Sequence, residues 1–454
     1  MGAMIAWFKN KQTPDILLII IGGICLFCFT IGISTSVFES RLNYTIKTIG
    51  FDTKPSVESA QNLRANLSAL YADIANDLLT NSPIGISDDF KTDLKNLSDA
   101  IVISSKNITY DNELYLMKDI QPSLTHLYTL IGELRTTKPE DRVKKLIYTS
   151  NIEHLMLYAS RLEEANANPL ENAYNYFQQQ KSYILIFMFV TFIVSLIIIQ
   201  IWLMKKTNRI FNIPLFIATS IAGLTFVWTT YAIIQEQVTI RVAKEDAYDS
   251  LHQLYRAKAD LYTMNSDESM WLLDKSHNYD LTFATGAKRV LDIDVKPSND
   301  LSNILNDLDK ALAFEKNDQS DQATKTTPKL IGYLGTEMNN ITFGVAERKP
   351  ATDAIKLFVK YLQIDKQIRD MSVSDMKGAI ALCIGNNEGQ SNWTFDRLIK
   401  AIDTIIKVNN DEFQSRIDQA ANIASYIKWV SIFSLIIIAF LGSFGLWQRY
   451  EEFN

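Results

Sequence analysis

Residues 183–204 read YILIFMFVTFIVSLIIIQIWLM, and the first charge after them is Lys205. About 20 apolar residues in a helix cover the hydrocarbon layer of a bilayer. This stretch is apolar on every face, whereas a helix on the outside of a soluble bundle keeps one face polar. Working outward, residues 16–34, 211–234 and 429–447 are almost free of charge over comparable lengths. The expected architecture therefore has four transmembrane helices. Lys9 and Lys11 precede the first in the manner of a signal peptide, but the apolar run is long for one and no Ala-x-Ala site follows, so an uncleaved anchor is expected.

The rest of the composition agrees. At 454 residues the length suits about three compact units. A balance of 45 Lys and Arg against 51 Asp and Glu gives a net charge of -6, which argues against nucleic acid as a partner. Three cysteines cannot frame a small secreted disulfide module. A mean hydropathy of -0.01 in a chain with 21% charged residues is the average of two unlike populations, apolar spans and polar connecting segments.

Lys and Arg in short segments set orientation, while long domains translocate largely regardless of charge. Lys9 and Lys11 lie before the first span, Lys205, Lys206 and Arg209 between the second and third, and Arg449 after the fourth. The expectation is an inner-membrane protein of a bacterium whose parts 1–15, 205–210 and 448–454 are cytoplasmic. Segments 35–182 and 235–428 are then extracytoplasmic. The cytoplasmic parts are too short for a folded domain, so no kinase, cyclase or ATPase resides there.

Both outer segments show helical periodicity. In the first, Ala60, Leu63, Leu67, Leu70, Ile74 and Leu78 mark one face. Phe90, Leu94, Leu97 and Ile101 mark a second, and Ile120, Leu124, Leu127, Ile131 and Leu134 a third. Tyr148, Ile152, Leu155, Ala159 and Leu162 mark a fourth. Asn81-Ser82-Pro83 punctuates the series, and Pro139, Glu140 and Asp141 start a helix with proline and carboxylates in the first turn. Four faces make an antiparallel four-helix bundle. The second segment repeats the plan with Ala247, Leu251, Leu254, Leu261, Met264 and Trp271, then Leu301, Leu305, Leu308 and Leu312, then a long helix from Trp393 into the fourth span. The fold class is thus all-α, with four transmembrane helices and two extracytoplasmic helical bundles.

Catalytic and metal-binding patterns are missing. His126, His154, His252 and His277 are scattered, with no second ligand at metal-site spacing. Cys25 and Cys28 lie within the first span, and Cys383 is alone in its domain. No phosphate loop or nucleophile elbow occurs. The expectation is a non-enzyme without cofactor. Two segments interrupt the helical pattern: GYLGTEMNNITFGVAERK at 332–349 and IGNNEGQSNWTF at 384–395. Such segments on a rigid scaffold commonly carry binding function, although Ser391 or Asn392 also suits an N-cap for the last helix, with Trp393 covering its base.

Those two segments, with QIRDMSV between them, resemble four-pass bacterial membrane proteins with two extracytoplasmic helical domains, including GlnX-type signalling proteins. SAQNLRANLSALYADIANDLL and AKADLYTMNSDESMWLLDKSHNYDLTF resemble the openings of that family's two outer domains. The resemblance implies an extracytoplasmic solute-binding protein and a cytoplasmic Ser/Thr kinase as partners. It carries over to Glu337, Asn339, Asn340, Thr342, Phe343, Glu347 and Arg348, and to Gly385, Ser391, Asn392, Trp393 and Phe395. These are expected to shape an outward surface for a partner or small ligand.

The leading functional expectation is a transmembrane signal relay or sensor that couples an outer ligand or binding protein to a cytoplasmic partner. The alternative is a structural or accessory subunit of a larger membrane complex. Small residues in the spans, among them Gly22, Gly23, Ala218, Ala222, Gly442 and Gly445, permit close helix contacts within one chain or between chains of an oligomer. A transporter fits less well, since the spans lack paired charges and broken helices.

Overall fold

The structure, a computed structural model, describes residues 13–179, 183–207, 211–275, 278–293 and 330–453. Lys9, Lys11, Arg209, His277 and the leucine face from Leu301 to Leu312 lie outside the described residues. Among the described residues the chain is all-α apart from one antiparallel pairing, β1 (Asp292–Ile293) with β2 (Leu330–Ile331). It divides into two units. One draws on residues 1–48, 172–242 and 415–454, the other on residues 49–171 and 243–414.

The apolar unit contains α1 (Thr13–Lys47), α7 (Tyr183–Thr207), α8 (Ile213–Arg241) and the C-terminal part of α14 (Ser391–Phe453). Each belongs to a helix long and apolar enough to cross a membrane. Leu17, Ile24 and Ile31 of α1 pack with Phe189 and Phe192 of α7, Ala218 and Ala222 of α8, and Leu435 and Ile438 of α14. Leu26, Phe29, Phe187, Leu224 and Phe440 instead point outward and are exposed. Large apolar side chains exposed on all four helices are what a lipid-facing surface requires. The small residues divide by position. A Cβ added at Gly445 would stand 2.5 Å from Asn212 Oδ1, while Gly22 and Gly23 face open space. Asn212 uses that closeness, because its Nδ2 donates to Gly445 O at 2.7 Å while its Oδ1 caps α8 by accepting from Leu215 N.

The polar unit contains α2 (Lys54–Leu79), α3 (Asp88–Lys106), α4 (Asp111–Thr136), α5 (Pro139–Thr149), most of α6 (Ile152–Gln178), α9 (Asp249–Leu273), α10 (Tyr279–Val290), α11 (Tyr333–Asn339), α12 (Val345–Met371), α13 (Met376–Cys383) and the start of α14. Local chemistry sets the ends of these helices. Ser87 caps α3 by accepting from Phe90 N, and Pro139 opens α5. The fourth apolar face is split, since α5 ends before Ser150 and leaves Tyr148 80% exposed, and α6 begins anew at Ile152.

The expectation of two separate bundles is corrected here. The segments on either side of α7 and α8 fold together as one unit, built on α2 lying against α9. Both helices are buried nearly all round. One side of α2 carries the leucines read from the sequence. The other carries small and polar residues that meet their match on α9: Ser68 Oγ lies 3.1 Å from Thr263 Oγ1, and Ser269 Oγ donates to Asn76 Oδ1 at 2.7 Å. Met270 of α9 is fully buried within the same core as Leu67, Leu127 and Leu155.

Two π-helical segments, Thr48–Thr53 and Val242–Tyr248, join α1 to α2 and α8 to α9 without a break in helix, at two of the four places where the chain passes between the units. The shared core makes a definite expectation. Met270→Ala should cost about 2–5 kcal/mol, and hydrogen exchange should quicken in α2 and α4 as well as in α9. Faster exchange confined to the second segment would mean that the two segments open independently.

Candidate functional site

The polar unit holds a cleft of about 680 Å³, within the range of small-molecule sites. Its walls come from both sequence segments: Arg64 of α2, Ser160 to Glu171 of α6, Tyr248 to Arg256 around the start of α9, Arg289 of α10 and Tyr333 of α11.

On α9, His252, Arg256 and Asp260 follow at intervals of four and so share one face. Asp260 is fully buried and takes two arginines: Arg64 pairs with Oδ1, and Arg289 Nε lies 2.6 Å from Oδ2. Glu163, also buried, accepts from Arg256 Nε at 2.6 Å and faces His252 Nε2 at 2.7 Å. Burial alone would push the Glu163 carboxyl up. The His252 hydrogen bond and the Arg256 charge outweigh it and hold the group at about 2. Tyr333 stands in the field of all three arginines. Glycine places it there: Gly332 has φ +86°, and a Cβ on it would come within 2.8 Å of Arg289 O. Toward the start of α9, Lys244 pairs with Glu171 at 2.8 Å and Asp249 at 3.3 Å. The Tyr248 ring stacks on His252 at 5.9 Å, and its hydroxyl is buried without a hydrogen-bond partner among the described residues.

The first segment singled out in the sequence meets this region from behind. Asn340 Nδ2 donates to Glu245 O at 3.1 Å, Asp246 O at 3.0 Å and Ser250 Oγ at 2.9 Å, so its side chain grips the π-helical segment that leads into the cleft. Glu347 is buried at the first turn of α12, where it accepts from Thr342 N and Phe343 N, an N-terminal carboxylate cap. Its other oxygen takes Asn409 Nδ2 of α14 at 2.9 Å, and buried Glu337 lies alongside. Burial, then the neighbouring Glu347, raises the Glu337 carboxyl. Asn339 reaches Leu330 O and is exposed, as is Thr342, while Phe343 and Arg348 are half-buried.

The second segment lies apart from the first. Gly385 and Gln390 are in close contact, so a side chain at Gly385 would collide with the glutamine. Ser391 is fully buried and donates to Glu268 Oε2 at 2.7 Å, Asn392 Nδ2 donates to Ile384 O at 3.2 Å, and Phe395 meets Tyr262 edge-on at 5.2 Å. Trp393 is half-buried beneath Arg397, 4.1 Å away, and Lys360. Residues expected to form one outward surface thus fall into two places, with Glu337, Glu347, Ser391 and Phe395 inside the protein. Arg64, Glu163, Arg256, Asp260 and Arg289 were passed over in the sequence. The available signal was a run of charge at helical spacing on α9, a helix whose opposite side is apolar. No protein family, curated protein or solved structure matches the chain.

Gly332→Ala should destabilise the polar unit by more than about 1 kcal/mol in thermal unfolding, because the added carbon meets backbone and the φ is left-handed. Glu337 generates a pH expectation. Its folded-state value is raised, so the folded protein keeps a proton that the unfolded chain releases, and its contribution declines as pH rises above the ordinary carboxylate range. Glu337→Gln should flatten the decline of melting temperature with rising pH; an unchanged slope would remove Glu337 from the account.

Proposed function

We propose that the protein is a transmembrane signal relay in which the polar unit lies outside the bacterial cytoplasmic membrane and senses a ligand in the cleft. A cytoplasmic partner, of the kinase kind suggested by the family resemblance, reads the resulting movement of the membrane helices. One observation carries the reading: the π-helical segment Val242–Tyr248 is held by Asn340 on one side and, through Lys244, by the cleft residues Glu171 and Asp249 on the other. π-Helical segments inside α-helices mark functional positions because their hydrogen bonding is easily rearranged. A ligand that draws on Glu171, Asp249 or His252 changes what holds the segment, and the segment continues directly into α8. Such a relay needs two arrangements separated by a few kcal/mol, with the ligand favouring one.

The topology is tested with cysteine reporters. In a chain whose own cysteines are replaced by serine, Tyr148→Cys should react with a membrane-impermeant thiol reagent in intact cells, and Glu452→Cys only after lysis. Reaction of both, or the reverse pattern, sinks the outside placement. The relay is tested by mild-detergent purification of wild type and Asn340→Ala from native membranes. A cytoplasmic partner should co-purify, and its amount or phosphorylation should change in the variant while expression and helicity stay the same. An identical set and amount of partners would argue for a passive subunit instead.

A further inference from the structure

The side chain that holds Val242–Tyr248 is tied to a pair of buried acids. Asn340 ends α11, and its backbone N–H donates to Glu337 O at 2.9 Å, so the two residues lie three apart on one face. Glu337 of α11, Glu347 of α12 and Asn409 of α14 are each at most 1% exposed. Glu347 is committed as an acceptor: Oε2 takes Thr342 N and Phe343 N, and Oε1 takes Asn409 Nδ2 at 2.9 Å. Glu337 has far less. Its Oε1 is 3.5 Å from the same Nδ2, and its Oε2 has no hydrogen-bond partner among the described residues. Asn409 Nδ2 also donates to Ile405 O at 3.2 Å, so it has no hydrogen to spare for a second carboxylate.

Acceptors therefore outnumber donors in this cluster, and a proton on Glu337 is the donor it lacks. Two carboxylates side by side in a low-dielectric interior repel strongly if both are ionised. Among the described residues, Glu347 is the charged group that acts most on Glu337, which also faces the Ser250 hydroxyl. Charges on the elements packed round α11 are engaged elsewhere: Lys244 with Glu171 and Asp249, Arg256 with Glu163, and Arg289 with Asp260. Glu245, Asp246, Arg348 and Glu412 are engaged as well. When the proton leaves, one acid must withdraw. Glu347 is anchored by Thr342 N, Phe343 N and Asn409, whereas Glu337 sits on a helix of only 7 residues. Glu337 is the one that moves, and Asn340 goes with it.

We infer that Glu337 and Glu347 share one proton, and that this proton keeps Asn340 closed on Glu245 O, Asp246 O and Ser250 Oγ. Val242–Tyr248 thus has a second input besides the cleft, the pH around the polar unit. Burial and the neighbouring Glu347 raise the Glu337 carboxyl, which fixes the sign. The hold is complete below the ordinary carboxylate range, where closed and open forms both carry the proton, and is lost as pH rises toward the raised value. Acid closes the latch and alkali opens it. That the opening then acts on the membrane helices rests on the relay reading; the latch itself does not.

The test is hydrogen exchange across a pH series on the full-length protein in nanodiscs, with rates corrected for the intrinsic effect of pH on amides. In the wild type, protection at 242–248 should fall with rising pH by up to about tenfold per unit, the slope that one proton gives. Glu337→Gln keeps a neutral donor beside Glu347, so protection there should stay high and flat. Asn340→Ala lacks the grip, so protection should be low and flat. Circular dichroism checks that both variants are folded, and if Glu337→Gln is not, Asn340→Ala decides alone. A flat wild-type profile, or a wild-type slope in either folded variant, would overturn the inference. So would equal quickening in α4, which means a general loosening of the polar unit. Capture of the cytoplasmic partner at each pH separates the latch from the relay. The expected slope with unchanged capture upholds the latch and fails the relay, whereas a flat profile fails the latch and leaves the relay to the Asn340→Ala purification.

Discussion

The approach of α2 to α9 is the constraint on which the rest of the structure depends. The two helices come from segments separated by more than a hundred residues and by two helices long and apolar enough to cross a membrane, yet each buries nearly its whole circumference. Small side chains make this feasible: Ala65, Ala69 and Ala72 on one helix, Ala257 and Ala259 on the other, with Ser68 and Ser269 spanning the gap through hydrogen bonds. Small residues let backbones come close, and paired hydroxyls avoid the cost of an unsatisfied polar group in the interior. Once α2 and α9 are together, Arg64 is brought to Asp260, and a cleft lined by both segments follows.

Buried charge in this protein is organised by pairing. Asp260 and Glu163 are almost inaccessible to water, and each is answered by two basic or imidazole side chains. Removing either carboxylate would leave cations facing one another in a low-dielectric setting, a far larger penalty than the pair contributes. Glu337 and Glu347 show the opposite solution, two acids side by side with Asn409 between them and a carboxyl pushed toward its neutral form. The first arrangement fixes charge and the second suppresses it.

How much was legible in the sequence follows from how local each requirement is. A helix able to cross a membrane needs an unbroken apolar run, and 183–204 is one. A leucine face at helical spacing is equally local, and the faces of α2, α3 and α4 read correctly. The second face of α2 was not legible, because Gln61 and Ser68 look solvated until α9 is known to bring the His252 carbonyl and the Thr263 hydroxyl against them. The same holds for the site. Asn340 and Glu347 stood out as irregular residues, but their work is to grip a turn and cap a helix. The cleft residues, spread from Arg64 to Tyr333, share no sequence window at all.

The two π-helical segments also bear on what changes in length the chain can absorb. One residue added to or taken from an α-helix turns everything beyond it by about 100°. Val242–Tyr248 sets the angular position at which α9 begins. His252 and Arg256 meet Glu163 of α6 from that starting position. Loss of a single residue from the segment would preserve every helix and every side chain, yet swing this row away from Glu163 and Glu171. The number of residues there is thus as much a part of the site as their identity.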